Sequence, residues 1–254
     1  MILDRPSLKA RAAHLMRTCI PSIIVVSLLY IALTAIFGYL SGRIMGGKLT
    51  EEAAAQWSKY LTDGNYEYAM QYLETLRPPA SAYAVDFLLT VVMSIVGAGY
   101  IIFLLNSIRS TGACAANLLD GFSYVLKIIV LNLLEGVFIM LWSLLLIVPG
   151  IIAAYKYSMA IYLLMDHPEK TPMECIRESG RMMQGHKGEL FVLDLSFIGW
   201  KLLELLPLVG YCVRIWSVPY YATTKALYYE QLCGKDVSGT VNPGVDYYDN
   251  GPMF

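Results

Sequence analysis

One uncharged run of 21 residues, IPSIIVVSLLYIALTAIFGYL at 20–40, most constrains what this chain can fold into. A helix of that length is about 30 Å long, which matches the hydrocarbon core of a bilayer. Because hydrocarbon offers no water to backbone polar groups, such a run is expected to be helical. The run is longer than the apolar core of a signal peptide, and no small-residue cleavage site follows it. We therefore predict a retained first spanning helix.

Similar apolar runs recur along the chain and predict six spans within one membrane domain, 1–235. The predicted spans are 20–40, 84–106, 126–147, 151–165, 189–206 and 211–232. The fourth is short for a full crossing, so it is expected to tilt or to re-enter. The sequence VPG at 148–150 is expected to break the helix between the third and fourth spans. The predicted fold class is all-α, a polytopic membrane helix bundle of about six transmembrane helices.

Two polar stretches show amphipathic helical patterns, and we predict interfacial helices at about 51–76 and 171–184. The first lies in an extracytoplasmic loop, 41–82, where Thr50 is the expected N-cap. An alternative interpretation of that loop is a cap over a ligand.

The second amphipathic stretch begins with TPME, which carries three helix-start signals. Thr171 can cap, Pro172 suits the first turn, and Glu174 completes a capping box. Gly185 is the expected stop.

Lys and Arg are unevenly distributed along this arrangement. The predicted cytoplasmic segments together hold twelve Lys and Arg residues, four of them in the N-terminal segment and four in the connection 166–189. The long outside loop holds four of these residues: Arg43, Lys48, Lys59 and Arg77. The positive-inside rule therefore predicts N- and C-termini in the cytoplasm. The last residues, 236–254, are rich in Gly, Pro and Asp and are predicted to be a flexible tail.

Seven ionisable residues lie within the predicted spans: Asp86, Glu135, Lys156, Asp194, Lys201, Glu204 and Arg214. An isolated charge in hydrocarbon is costly, so each should face the bundle interior, pair, or reach an interface. Near-equal numbers of acids and bases favour pairing between helices.

The expected pairs follow from proximity along the chain. They are Glu204 with Arg214, Lys201 with Glu204, and Asp194 with Lys187 or an N-terminal base, whereas Glu135 and Lys156 are expected to make only a stretched contact. An alternative hypothesis is a proton or ion path through Glu135, Asp194 and Glu204.

Motifs for catalysis or metal binding are weak. His186 and Glu189 form HxxE, but the HExxH of zincins is absent, and no GxSxG occurs in a span. Five scattered cysteines argue against a zinc site or a disulfide scaffold. A net charge of −1 argues against nucleic acid as a partner. We therefore predict no enzymatic activity, no metal and no cofactor.

The first functional hypothesis is a non-enzymatic membrane module that binds a protein partner or lipid. It depends on the second amphipathic helix, whose apolar face is Met173, Ile176, Met182 and Met183. The candidate basic residues there are Arg177, Arg181, His186 and Lys187. The alternative is a small-solute or ion transporter or channel that uses the intramembrane acids. Homo-oligomers are a further possibility.

The stretch ESGRMMQGHKGELFVLDLSFIGW at 178–200 carries a family resemblance, together with its flanks. The flanks are LLLIVPGIIAAYKYSMAIYLLMDHPEKTPMECI before it and VPYYATTKALYYEQL after it. This region resembles the bacterial multi-pass membrane family called domain of unknown function 975, over roughly 100–235. The resemblance implies a protein of the bacterial cytoplasmic membrane. It implies no activity and no catalytic residues.

Overall fold

The computed structural model describes residues 5–18, 22–46, 50–206 and 209–234, and every regular element in these ranges is helical. In chain order the α-helices are α1 (Arg5–Thr18), α2 (Ile23–Gly46), α3 (Glu51–Thr62), α4 (Tyr66–Leu76), α5 (Ala80–Arg109), α6 (Asn117–Asp120), α7 (Val125–Leu145), α8 (Ile147–Tyr157), α9 (Ala160–Asp166), α10 (Pro172–Met182), α11 (Lys187–Leu195), α12 (Ile198–Leu203) and α13 (Val209–Leu232). A 3₁₀ turn, Gly121–Tyr124, joins α6 to α7. The predicted all-α helical bundle is confirmed. The predicted tail at 236–254, Lys48, and part of the turn at 206–210 lie outside the described residues.

Four segments of the described chain are long and apolar enough to cross a membrane: α2 (Ile23–Gly46), Ala80–Arg109, Asn117–Leu145 and Ile147–Asp166. This count differs from the six predicted spans, and the difference lies in the last two. The predicted span 189–206 is divided between α11 and α12, and charged residues interrupt its apolar pattern. Helix α13 is long enough, but Arg214, Lys225 and Glu230 make it too polar.

The break between α7 and α8 lies at Leu146, not at 148–150. Leu146 is extended, with φ −162° and ψ 150°. Pro149 lies in the first turn of α8, where its missing N–H would have no intrahelical partner anyway. Gly150 allows close packing, because a Cβ there would lie 2.1 Å from Ser143 Oγ. This proline and glycine therefore belong to the start of a helix rather than to its interruption.

The chain divides into two compact units, Met1–Ile31 with Ile95–Phe254, and Ala32–Ser94. The smaller unit contains the α3–α4 pair. Thr50 caps α3 as predicted, since its side chain accepts a hydrogen bond from Ala53 N at 3.1 Å. The Tyr60 ring lies 6.4 Å from the Tyr68 ring and 5.8 Å from the Tyr72 ring, measured between centroids. These contacts hold two short amphipathic helices together, and the ligand-cap interpretation stays a prediction.

The larger unit has a dense core. Its largest fully buried side chains are Tyr228, Tyr229, Phe103, Phe197, Met16, Ile23, Leu104, Ile128, Leu131, Met159, Leu163 and Leu164. Small residues admit the 117–121 segment against α5: a Cβ at Gly99 would lie 2.2 Å from Leu118 O, and one at Gly121 would lie 2.2 Å from Ile95 O. Gly99 of α5 and Gly121 of the 3₁₀ turn thus let the 117–121 segment lie close against α5.

The turn between α7 and α8 has the opposite character. Five consecutive apolar residues, 144–148, are between 65% and 82% exposed. The larger unit therefore contains both a packed apolar core and a separate apolar turn that is exposed.

Candidate functional site

Helix α10 starts as the sequence predicts. Glu174 Oε2 accepts hydrogen bonds from the Thr171 N–H and from the Thr171 hydroxyl, both at 2.8 Å, and Thr171 Oγ1 accepts the Glu174 N–H at 3.3 Å. These donors stabilise the ionised carboxylate and hold the pKa of Glu174 below its ordinary value. The chain leaves the helix through Gly185, whose φ is +79°.

The same helix is bound tightly to the junction between α8 and α9. Ser179 Oγ donates a hydrogen bond to Lys156 O at 2.9 Å and accepts one from Met159 N at 3.2 Å. Gly180 packs on the Lys156 side chain, because a Cβ there would lie 2.9 Å from Lys156 Cε. The position of α10 beside this junction is therefore well defined.

The apolar face of α10 is directed into the bundle. Ile176, Met182 and Met183 are at most 6% exposed, and only Met173 of the predicted apolar set is half-buried. Cys175 is fully buried as well, and burial raises the pKa of its thiol to about 11. The predicted availability of this apolar face to a partner is therefore wrong for Ile176, Met182 and Met183, which pack inside the protein.

The outer face of α10 is charged. Arg177 and Arg181 are exposed, lie one turn apart, and form no ion pair with any described residue. Their neighbour Glu178 is engaged with Lys170, Nζ to Oε2 at 2.7 Å. Arg177 is within electrostatic reach of Glu174, but neither guanidinium forms an ion pair within 4 Å among the described residues.

The other two predicted basic residues follow α10. His186 Nδ1 lies 2.7 Å from Glu189 Oε2, and the His186 carbonyl accepts the Tyr228 hydroxyl at 3.0 Å. Lys187 is half-buried at the start of α11. His186 is thus held inside the structure, whereas the two arginines are not.

A second group, here called the Asp194 cluster, consists of Asp194, Tyr155, Tyr221, Lys225 and Glu135. Asp194 accepts the Tyr155 hydroxyl at 3.1 Å and the Tyr221 hydroxyl at 2.9 Å. Lys225 is close enough to interact electrostatically with both Asp194 and Glu135. Glu135 Oε1 is buried and has no hydrogen-bond partner among the described residues. The cluster joins α7, α8, α11 and α13, so five residues from four helices come together at one place.

The pairs expected from chain proximity are not formed among the described residues. Glu204 accepts the Ser217 hydroxyl instead of binding Arg214. Lys201 Nζ lies 5.1 Å from the centroid of the Tyr221 ring. Lys156 Nζ lies 5.3 Å from the Tyr157 ring centroid. Hydroxyls and aromatic rings thus replace the expected ion pairs.

A third group, here called the Arg109 network, was missed by sequence reasoning. Arg109 binds Asp166 through two nitrogens, at 2.5 and 2.8 Å, and binds Glu230 Oε1 at 2.5 and 2.7 Å. Tyr229 donates its hydroxyl to Asp166 at 2.9 Å. Both carboxylate side chains are 7% exposed. The network connects the ends of α5 and α9 to α13, across 57 and 121 positions of sequence.

The available signal for this network was slight. Glu230 is an acid near the end of a predicted span, and its neighbours in sequence do not indicate its partner. Within the described ranges, no cluster of three His, Cys, Asp or Glu side chains could hold a metal ion.

A comparison with protein families matches residues 22–236 to a family described as "Protein of unknown function (DUF975)". No curated protein and no solved structure matches significantly. Because the match covers most of the chain, the protein belongs to the DUF975 family.

Proposed function

We propose that this DUF975 member is a non-enzymatic, multi-pass protein of the bacterial cytoplasmic membrane that binds anionic lipid headgroups through α10. The observation that supports the proposal most directly is the state of Arg177 and Arg181. Both are exposed and form no ion pair within 4 Å among the described residues, on a helix whose position is fixed by Ser179 and Gly180. The proposal places α10 at the cytoplasmic surface, in agreement with the charge distribution along the sequence.

Phosphate is the chemistry that suits this arrangement. A guanidinium presents several N–H donors in one plane and binds phosphate oxygens in pairs. Residues four apart on a helix are neighbours on one face, so both arginines can meet one headgroup or two adjacent ones. A basic residue near an anionic leaflet contributes about 1 kcal/mol of attraction.

A lipid explains the exposed face better than a protein partner does. Protein interfaces are usually anchored by buried apolar or aromatic side chains. Here Ile176, Met182 and Met183 are already covered by the protein itself. Only the charged face remains, and a charged surface alone is the ordinary requirement for headgroup attraction.

The test is extraction of the protein with its surrounding lipid into lipid discs, followed by mass spectrometry of the lipids and proteins that remain bound. Wild type is expected to retain anionic phospholipids enriched over the bulk membrane. The double variant Arg177→Glu/Arg181→Glu is expected to lower that enrichment by at least about fivefold, because two attractions become repulsions.

A matched control is Lys59→Glu/Arg77→Glu, which makes the same charge change at two exposed residues of the smaller unit. It is expected to leave the enrichment unchanged. Equal enrichment in wild type and in the α10 variant would refute headgroup binding. A stoichiometric protein that is lost from the α10 variant would identify a protein partner instead.

A second candidate function, proton or ion transport, is favoured by one observation. Glu135 Oε1 is buried without a hydrogen-bond partner among the described residues, and Lys225 is within electrostatic reach. Buried acids of this kind often carry ions in membrane proteins. Flux into proteoliposomes that Glu135→Gln reduces would support transport, and the absence of any flux above that of empty liposomes would exclude it.

A further inference from the structure

The α7–α8 hairpin is the region of the larger unit whose surface is least explained by packing inside the protein. Its turn, 144–148, consists of three leucines, an isoleucine and a valine, all largely exposed. A turn at a membrane surface normally carries polar or interfacial aromatic residues. Five consecutive exposed apolar side chains are instead suited to hydrocarbon.

The arginines of α10 limit how far the hairpin can extend into that hydrocarbon. Ser179 is hydrogen-bonded to the backbone carbonyl of Lys156, so α10 and Lys156 lie at the same level of the bundle. Arg181 follows two residues later and is exposed. An exposed arginine deep in hydrocarbon is strongly unfavourable, so the hydrocarbon begins on the hairpin side of Lys156.

Little of α8 remains beyond that level. Residues 147–155 would span about 14 Å, less than half of the roughly 30 Å of a bilayer core. The Phe138 ring lies 5.9 Å from the Tyr157 ring, which places the matching level of α7 near residue 138. Both arms of the hairpin are therefore too short, from this level, to reach the opposite surface.

We infer that the α7–α8 hairpin is re-entrant: it enters one leaflet, turns at 144–148 near the bilayer centre, and returns to the side it came from. Its partner surface is the acyl chains of that leaflet. The segment between α12 and α13 is not included, because Lys201, Glu204 and Arg214 flank it along the sequence.

The inference deepens the proposed lipid role and rests on the proposed placement of Arg177 and Arg181 at the headgroups. A hairpin that occupies one leaflet displaces acyl chains on one side only. Headgroups held by α10 and chains displaced by the hairpin would then belong to the same leaflet. The protein would organise lipid asymmetrically without any catalytic step.

The test measures depth directly, with tryptophan fluorescence in liposomes that contain phosphatidylcholine brominated at known depths. In a chain whose four tryptophans are replaced by Phe, Leu146→Trp places one probe at the turn. Lys156 lies ten residues from this position, or about 15 Å along the helix. The probe of a re-entrant hairpin is therefore expected within about 5 Å of the bilayer centre.

A hairpin that crosses the membrane would place the same probe about 15 Å from the centre, near the opposite interface, and this result would overturn the inference. Val148→Trp gives a second, independent reading from the other side of the turn, in case the first variant folds poorly. Gln184→Trp, exposed after α10, is the matched shallow control.

The outcome is separable from the test of headgroup binding. A central probe together with unchanged lipid enrichment in Arg177→Glu/Arg181→Glu would keep the re-entrant hairpin and remove the headgroup role. An interfacial probe together with lost enrichment would do the reverse.

Discussion

The Arg109 network and the Asp194 cluster both hold carboxylates inside the bundle, but they compensate the charge differently. In the network, one guanidinium binds Asp166 and Glu230 at 2.5 to 2.8 Å. In the cluster, Asp194 is bound by two tyrosine hydroxyls, and the described residues offer it no ion pair within 4 Å.

The contrast shows two ways of lowering the cost of a buried acid. An arginine supplies charge and several donors, and its guanidinium here is partly exposed, with 23% of the side chain accessible. Tyrosine supplies uncharged donors, and the positive charge of Lys225 acts on Asp194 from a greater distance, so the compensation is weaker. The Arg109 network is therefore expected to contribute more to stability. In the Asp194 cluster the carboxylate charge is less fully compensated and can still interact with an ion or a proton.

Removal of Arg109 is expected to have the largest effect. Arg109→Met removes the guanidinium that binds two nearly buried carboxylates, Asp166 and Glu230, and the expected loss is about 3 kcal/mol of unfolding free energy. The measurement is the unfolding midpoint in mild detergent. Arg177→Met, at an exposed and unpaired arginine, is the control and should change the free energy by less than about 0.5 kcal/mol. Equal losses of unfolding free energy in the two variants would mean that the Arg109 network does not stabilise the fold.

A smaller loss is expected at Asp194. In Asp194→Asn the amide can still accept from one tyrosine, but it loses the charge-assisted bonds, which corresponds to about 2 kcal/mol. A double-mutant cycle with Tyr221→Phe isolates the shared term, expected at about 1 kcal/mol. Additive effects of the two single substitutions would show that the 2.9 Å hydrogen bond between Tyr221 and Asp194 contributes no coupling free energy.

Glu135 is expected to behave differently from Asp194, although both belong to one cluster. Its Oε1 has no hydrogen-bond partner in the described chain, so Glu135→Gln removes a charge that is poorly compensated. Unfolding free energy is expected to stay constant or to rise by up to about 1 kcal/mol. A clear loss of stability, measured in the same detergent, would show that Lys225 compensates Glu135 fully.

The smallest effect is expected at the start of α10, outside both groups. The pKa of Glu174 is lowered from its ordinary value of 4.5 by the bonds from Thr171. A lowered folded-state pKa contributes stability above the unfolded value, and that stability is lost as pH falls through the folded value. Below about pH 4.5, wild type should therefore lose more stability than Glu174→Gln. The unfolding midpoints of both proteins between pH 3 and 6 give the comparison, and parallel curves would contradict it.

Local features were predicted well and distant ones were not. The Thr171–Glu174 capping box and the Thr50 cap involve residues three apart, so their geometry follows from the helix itself. The expected charge pairs also relied on short separations, but the observed partners are more distant in sequence. Asp194 binds tyrosines 39 and 27 positions away. Nothing along the chain indicates which hydroxyl will meet which acid.

The amphipathic pattern at 171–184 illustrates the same limit. Periodicity established that one face of α10 is apolar, and the structure agrees. It could not establish whether that face meets lipid, another protein or the remainder of the chain. Burial of Ile176, Met182 and Met183 decided the question.

By itself, the sequence determined that this protein is an all-α bundle with several helices apolar enough for a membrane, because long uncharged runs leave the backbone no other way to satisfy its polar groups. It also determined the helix starts, which depend on side chains within one turn. Only the tertiary structure decided which charges meet and which arginines stay free. It alone showed that the apolar side chains of the 144–148 turn are exposed. The physical reason is that packing brings together residues from several helices, and their separation in sequence carries no geometric information.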